Sequence, residues 1–329
     1  MEICILDDGI VPNAVKTLLE RLKYDGIKKV TPDNISSDIG CIIVPGGDKG
    51  IRRYFRNPNV PPAPILGVSE GDAGGFLSQL DSKEIGLHID RLHNTKNYNI
   101  VEIPRLKVIV DDKNSHIALN DAAVFSAKSA TLIEYTLSVN KHEVWHDSGD
   151  GIIVSTPMGS TAYSMSTGGP VIFQGSDVFG IVPVNSQDVT RRPIVVPSSS
   201  KIEVSEIASH IRCDTILDGV DRLKVKESVK YSKFKSPAHI IRMEDNTTSV
   251  SAMIKKVHLA EDLLRMPPSS KLILKMLEYE GEMSQKELIA KTFLPARTVR
   301  IALTRLLEKG HIHRKVSILD SRQKIYSIS

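Results

Sequence analysis

The hydrophobic rhythm changes near residue 87, and that change most limits what this chain can fold into. Before it, short continuous apolar runs at residues 3–6, 41–45 and 65–68 are separated by a helical pattern through Val15, Leu18, Leu19 and Leu22 and by a proline-rich connection at 58–64. Strands that are apolar on both faces and alternate with helices call for a parallel sheet covered by helices. From about Leu87 the pattern has period two, as in Tyr98-Asn99-Ile100-Val101-Glu102-Ile103 and Leu106-Lys107-Val108-Ile109-Val110, and many short β-like runs follow between turn residues. This predicts a predominantly antiparallel second domain. After an apolar run at 240–243, residues 248–258 suit a helix that packs back onto the first domain.

A third rhythm begins near Arg265. Leu272, Ile273, Met276 and Leu277 recur at helical spacing, and Ser284-Gln285-Lys286-Glu287 is a capping box opening a second helix. Pro295 suits the first turn of a third helix that runs to about Lys309 and is stopped by Gly310. Residues 311–329 then alternate as two strands around Asp320-Ser321-Arg322. Three helices and a hairpin are the pattern of a winged helix. Charge follows the same division: residues 265–329 hold 13 Lys and Arg against 6 Asp and Glu, a net of +7, while the rest of the chain carries −3. Such a split suggests that the tail has an acidic partner which the body does not share.

At 329 residues, with 41% hydrophobic and 25% charged side chains, the chain can bury several cores without covalent staples. Its three cysteines, Cys4, Cys41 and Cys213, are far apart with no Cys-x-x-Cys pair. Neither a disulfide framework nor a cysteine-based zinc site is expected, and a cytoplasmic setting fits. The first apolar run is stopped by Asp7 and Asp8, unlike a secretory leader. The uncharged stretch at 151–176 is long enough to cross a bilayer but is rich in Gly, Ser and Thr and holds two prolines. No membrane span is expected.

Two segments carry chemistry. Gly46-Gly47-Asp48 directly follows the apolar run at 41–45. Paired glycines let backbone amides approach phosphate oxygens, and a carboxylate at the end of a strand can accept a hydroxyl proton or hold a metal; the same residues also suit an ordinary turn. The Walker A spacing is absent. The second segment, from Ser155 to Pro170, sets Thr156, Ser160, Thr161, Ser164 and Ser166 around Gly159 and Tyr163. Hydroxyls and amides where a helix starts after a strand can bind a polar or phosphorylated ligand, and Tyr163 can stack on it.

Residues 1 to about 260 resemble the NAD kinase family. Gly46-Gly47-Asp48 is similar to the family's Gly-Gly-Asp-Gly motif, and Pro64-Ile65-Leu66-Gly67-Val68 through Gly75-Phe76-Leu77 to its next strand and loop. Leu119-Asn120-Asp121 resembles the Asn-Glu/Asp motif, and Gly149-Asp150-Gly151 followed by residues 155–170 resembles the longest signature. Arg192-Pro193-Ile194-Val195-Val196-Pro197 and Asp218-Gly219 follow in family order.

The resemblance implies a Rossmann-like α/β domain at 1–83, completed by a returning segment at about 240–260, and an all-β NAD-binding domain at 84–239. An α+β winged helix-turn-helix domain at 265–329 lies outside it. The implied reaction moves a phosphoryl group from ATP or polyphosphate, with Mg2+, to the 2′-hydroxyl of the adenosine ribose of NAD, giving NADP. Asp48 would be the acid that orients or deprotonates that hydroxyl, with Gly46 and Gly47 beside the phosphates, where Lys49 either grips a phosphate or blocks the site. Asn120 and Asp121 would hold the ribose, and Thr161, Ala162, Tyr163 and Ser166 would line the adenosine pocket. Asp150 would sit near the dinucleotide, across an interface in a homodimer or homotetramer.

The sequence departs from the family at Lys49 and Gly50, where glycine and threonine are usual, and at Ser69, where asparagine is usual. Ser186-Gln187 and Val220 also differ. The departures leave a second reading open, a catalytically weakened NAD(P)-sensing transcription regulator. In the tail, Arg297 and Arg300 on the third helix and Arg322 on the hairpin are the expected contacts to double-stranded DNA. A protein partner for the same basic face is the alternative.

Overall fold

A computed structural model of the chain describes residues 2–22, 26–36, 38–69, 77–78, 80–92, 97–128, 131–243, 266–280, 282–292, 294–316 and 324–328. The chain forms two compact units, Met1–Glu70 with Gly74–Met253, and Ile254–Ser329 with Gly71–Ala73.

In the first unit a seven-stranded sheet runs in the order Lys28–Val30, Glu2–Leu6, Ile39–Pro45, Ile65–Ser69, Ala238–Arg242, Asn99–Ile103, with Leu80–Asp81 also pairing to Ile65–Ser69. All pairings are parallel except the last, between Ala238–Arg242 and Asn99–Ile103. Side-chain alternation divides the buried strands between two cores. Ile3, Ile5, Cys41 and Ile43 pack with Val15 and Leu18 of helix Pro12–Arg21, with Leu22 at its C-cap, and with Ile85, Ile89 and Leu92 of helix Ile85–Leu92. Cys4, Leu6, Ile42 and Val44 pack on the other face with Ile51, Tyr54 and Phe55 of helix Gly47–Arg56. Both faces are covered, as the continuous apolar runs predict.

The chain does not leave this sheet at residue 84. Asn99–Ile103 is its edge strand, so the crossing to the second sheet system falls at 104–105. Period-two alternation reports a half-exposed strand, and the edge of a parallel sheet is half-exposed just as an antiparallel strand is; the pattern cannot tell the two apart. Strand Ala238–Arg242 lies in the first sheet between Ile65–Ser69 and Asn99–Ile103, while residues 244–260 of the expected returning segment, with the helix at 248–258, lie outside the described residues.

The remainder of this unit is two six-stranded antiparallel sheets. One runs His142–Gly149, Ile133–Val139, Ile202–Ala208, Val229–Lys233, Leu106–Val110, Ser115–Ala118; the other Ile194–Pro197, Val178–Val184, Gly151–Ser155, Asp121–Ser126, Cys213–Leu217, Asp221–Val225. Leu106, Val108, Tyr135, Leu137, Val204 and Tyr231 of the first pack against Val124, Ile152, Val154, Phe179 and Ile181 of the second, which makes a sandwich.

Arg105 fastens the two sheet systems where the chain crosses between them. Its side chain is wholly buried and has no carboxylate partner among the described residues. It donates to the carbonyls of Ser236 (2.8 Å), Phe55 (2.9 Å) and Asn57 (3.2 Å), with the guanidinium 4.7 Å from the Phe234 ring centroid. The Phe55 and Asn57 carbonyls end helix Gly47–Arg56, where the partial negative charge of the helix favours a cation. Burial pulls the Arg105 pKa down to about 10, so the charge persists at neutral pH.

The second unit contains helices Pro268–Glu280, Gln285–Thr292 and Ala296–Glu308 and a three-stranded antiparallel sheet ordered Met283–Ser284, Lys324–Ile328, Ile312–Val316. Ile273, Leu277, Leu288, Val299, Leu303, Leu306, Ile312 and Tyr326 form its core. The capping box is closed in both directions: the Glu287 amide donates to Ser284 Oγ at 3.3 Å, and Glu287 Oε2 accepts the Ser284 amide at 2.7 Å. Pro295 is the cap residue ahead of the third helix rather than part of its first turn, because its ψ of 141° is extended. Gly310, at φ +70°, ends that helix. The short strand Met283–Ser284 gives no alternation signal at two residues' length. The turn expected at 320–322 lies outside the described residues.

The three cysteines are buried and free. Among the described residues no helix is long and apolar enough to cross a membrane.

Candidate active site

Strand Ile39–Pro45 delivers the chain to the C-terminal edge of the parallel sheet, where ligands of open α/β sheets bind. Gly46 (φ +90°) and Gly47 (φ +61°) then turn it into helix Gly47–Arg56 through left-handed backbone that side chains disfavour. Asp48 thereby enters the first turn of that helix. Its Oδ1 accepts the amides of Leu77 (2.9 Å) and Ser78 (3.0 Å). Arg242, the last residue of the returning strand, donates to the Leu77 carbonyl at 3.2 Å and feels the Asp48 charge; burial lowers its pKa and Asp48 partly restores it. Nothing in the sequence marked Arg242, which is 194 residues from Asp48.

A second cluster forms where the sandwich meets this helix, since Leu119 and Met158 pack with Ile51, Tyr54 and Phe55 in one core. The Asp218 carboxylate accepts the amides of Leu119 (3.1 Å), Asn120 (2.7 Å) and Asp121 (3.3 Å), so the Asp218-Gly219 turn shapes the Asn120-Asp121 backbone. The hydroxyl-rich string is laced to the same backbone. Thr156 Oγ1 donates to the Leu119 carbonyl at 2.7 Å, and the Thr156 amide to the Asn120 carbonyl at 2.8 Å. Thr156 and Ser160 are wholly buried, and Ser160 Oγ donates to the Pro157 carbonyl at 2.7 Å. The hydroxyls expected to meet a ligand thus in part hold the loop together. Thr161 and Ala162 are half-buried, Ser166 is exposed, and Tyr163, 43% exposed, stacks on Phe125 with ring centroids 5.6 Å apart. Asn120 Oδ1 is buried without a partner, an acceptor suited to a ligand's donor.

These segments coincide with the similarity of the chain to known proteins. The model of the ATP-NAD kinase C-terminal domain matches residues 119–243. An NAD kinase from Alcanivorax borkumensis is 30% identical over 234 residues, covering 69% of this chain and 77% of that one. The chain belongs to the NAD kinase family. An NAD kinase from a Thermotoga species is 32% identical over 213 residues, 64% of this chain and 80% of that one. In three dimensions, the crystal structure of an Archaeoglobus fulgidus NAD kinase in complex with ATP aligns with a TM-score of 0.63 and 26% identity, over 78% of this chain and 99% of that one.

Within this NAD kinase fold Gly50, Ser69 and Lys49 have different local surroundings. A Cβ at Gly50 would lie 2.0 Å from the Pro45 carbonyl oxygen, so a threonine cannot stand where the helix turns back this closely. Ser69 is buried, and its hydroxyl donates to the Leu80 carbonyl at 3.3 Å. Lys49 is exposed. It belongs to a basic stripe, Lys49, Arg52, Arg53 and Arg56, at three- and four-residue spacing in the sequence. Arg53 pairs with Asp8 and Arg56 with Asp221 (2.7 Å). Asp150 sits where the chain passes from strand His142–Gly149 of one sheet to strand Gly151–Ser155 of the other; its carboxylate accepts the Asn185 side-chain Nδ2 at 2.7 Å, at the far end of strand Gly151–Ser155 from Ser155, the partner of Asp121. Among the described residues no three His, Cys, Asp or Glu side chains cluster as a metal cage.

Asp121, 3% exposed, has its pKa pushed up to about 7, first by burial and then by the Asp218 charge, against the pull of Arg52 and the Tyr163 amide. Asp218 is raised by burial too, opposed by the three amides and by Arg52. A carboxyl that keeps its proton to about pH 7 when folded, but ionises near ~3.9 unfolded, binds more protons in the folded state across that window. Its contribution to stability is present at low pH and falls as pH rises from about 4 to about 7. Asp121→Asn cannot ionise, so its urea midpoint should vary less over that range and gain on the wild type as pH rises from about 4 to about 7. Parallel midpoint curves would mean that Asp121 is ionised throughout.

Proposed function

We propose that the chain transfers a phosphoryl group from ATP or polyphosphate to the 2′-hydroxyl of the adenosine ribose of NAD, forming NADP. The observation that carries this is the unpartnered Asn120 Oδ1 beside Asp121, on a backbone packed against the helix that bears Asp48. Asn120 and Asp121 hold the ribose, and Tyr163, with Thr161, Ala162 and Ser166, borders the adenosine. Asp48, fixed by two amides, orients the attacking hydroxyl and takes its proton, while Gly46 and Gly47 leave room for phosphate oxygens. Phosphoryl transfer asks the protein chiefly for positioning and charge compensation. A magnesium ion needs few protein ligands when phosphates and water supply the rest, which suits a site with Asp48 and no cage; it would neutralise charge on the transferred group. Asp150 reaches a dinucleotide from a second copy of the chain, in a homodimer or homotetramer. NADP formation by the purified chain, with NAD, magnesium and either ATP or polyphosphate, tests this reading. NAD binding without turnover on either donor would favour the NAD(P)-sensing regulator instead.

The second unit we read as a winged helix-turn-helix that binds double-stranded DNA, on the strength of its helix and hairpin order and the net +7 charge of residues 265–329. Arg297 and Arg300 are exposed on helix Ala296–Glu308; Arg322 lies outside the described residues. Log affinity should fall linearly with log salt, with a slope near roughly −0.9 per phosphate neutralised. Arg300→Ala should weaken binding by ~1–3 kcal/mol through loss of a base contact. Failure to retard any genomic fragment at low salt would leave a protein partner as the reading of this surface.

A further inference from the structure

The outer face of helix Ala296–Glu308 carries one feature that charge does not explain. Val299, Ala302, Leu303 and Leu306 are buried on one side of the helix. On the opposite side Arg297, Arg300, Thr304 and Arg305 are exposed, and in their midst Ile301 is 45% exposed. The helix has no acid before Glu308, and Arg297, Arg300 and Arg305 have no carboxylate partner among the described residues. Isolated exposed aliphatics are common. This one sits beside cations that have no carboxylate partner among the described residues, four residues from Arg297 and from Arg305 and next to Arg300, with the Thr304 hydroxyl three residues on.

A protein partner would meet a larger apolar patch with charge kept to the rim. The major groove asks for the reverse, cations and hydroxyls for phosphates and base edges, and an apolar contact for the one apolar group it presents, the thymine methyl. We propose that Ile301 is a specificity-determining residue that packs on a thymine C5-methyl in the major groove. This rests on the DNA-binding reading of the same helix. Arg297 and Ile301 are separated by about 6 Å along the helix axis, from ~1.5 Å per residue. That is about two base-pair steps of ~3.4 Å. A guanine read by Arg297 should therefore lie within about two steps of the thymine read by Ile301.

The test uses the full chain and random-sequence duplexes, from which bound sequences are enriched and titrated by fluorescence anisotropy. Replacing the enriched thymine by deoxyuridine removes only the methyl and should weaken wild-type binding about three- to tenfold, the scale of one buried methyl group. Ile301→Ala should bind thymine and uracil duplexes alike, at the affinity of the wild type for uracil. The residue is exposed, so folding is not at stake, and an unchanged melting curve checks it. Enrichment of a thymine that uracil replaces without loss would overturn the proposal, as would equal thymine preference in Ile301→Ala. Binding without any sequence enrichment also overturns it but leaves phosphate-based DNA binding standing. No binding to any duplex removes both.

Discussion

Asp48→Asn should lower the turnover of NADP formation by ~10²-fold or more with NAD affinity nearly unchanged, the scale of a lost general base. The substitution separates chemistry from structure because of how the carboxylate is held. Oδ1 accepts the Leu77 and Ser78 amides, and an asparagine carbonyl oxygen can do the same in the same place. Helix and loop should therefore stay as they are, and Arg242 should still hold the Leu77 carbonyl. What asparagine cannot do is take a proton from a hydroxyl. Turnover at the wild-type rate would remove Asp48 from the mechanism, and loss of NAD binding in step with turnover would make it a binding residue.

Gly159→Ala should cost ~3 kcal/mol of stability, combining overpacking with at least one lost hydrogen bond. That corresponds to roughly 6–12 °C in Tm for a unit of this size. A Cβ at Gly159 would lie 2.0 Å from the Asn120 carbonyl oxygen and 2.4 Å from its carbon. Both are backbone atoms, so no side-chain rotation relieves the clash. Asn120 cannot retreat cheaply either, since its amide is bonded to Asp218 at 2.7 Å and its carbonyl accepts the Thr156 amide at 2.8 Å. The strain falls on the residue proposed to hold the ribose, so KM for NAD should rise at least about tenfold with a smaller change in kcat. Gly175→Ala, with no atom within 4 Å and no left-handed backbone, is the control and should change neither. Wild-type melting and KM in Gly159→Ala would mean that the signature loop does not press on Asn120.

Much of this arrangement was legible along the chain. The capping box at Ser284 and Glu287 closes as its spacing requires, because a helix start is decided by residues three apart. Gly46-Gly47-Asp48 does turn a strand into a helix and set an acid at the sheet edge. The family motifs named Asn120, Asp121 and the Tyr163 region together, and the structure joins them. Other features had no local signal. The direction of the hydroxyls in residues 155–170 depends on which carbonyls lie beneath them, and those belong to Leu119, Asn120 and Pro157.

Apolar rhythm, glycine placement, capping residues and charge division are short-range properties, so the sequence by itself determined the element types, the change from parallel to antiparallel sheets and the basic character of the tail. Tertiary structure alone decided that residues 99–103 close the first sheet, and that Arg105 ties one end of the Asp48 helix to both crossovers while Arg242 braces the loop at its other end. It also decided that Arg52 faces the buried pair Asp121 and Asp218. Each of these joins residues dozens to well over a hundred positions apart, and their consequences, a buried guanidinium with no acid partner among the described residues and a carboxyl that keeps its proton, depend on desolvation. Desolvation belongs to the packed molecule and has no signature in the order of residues.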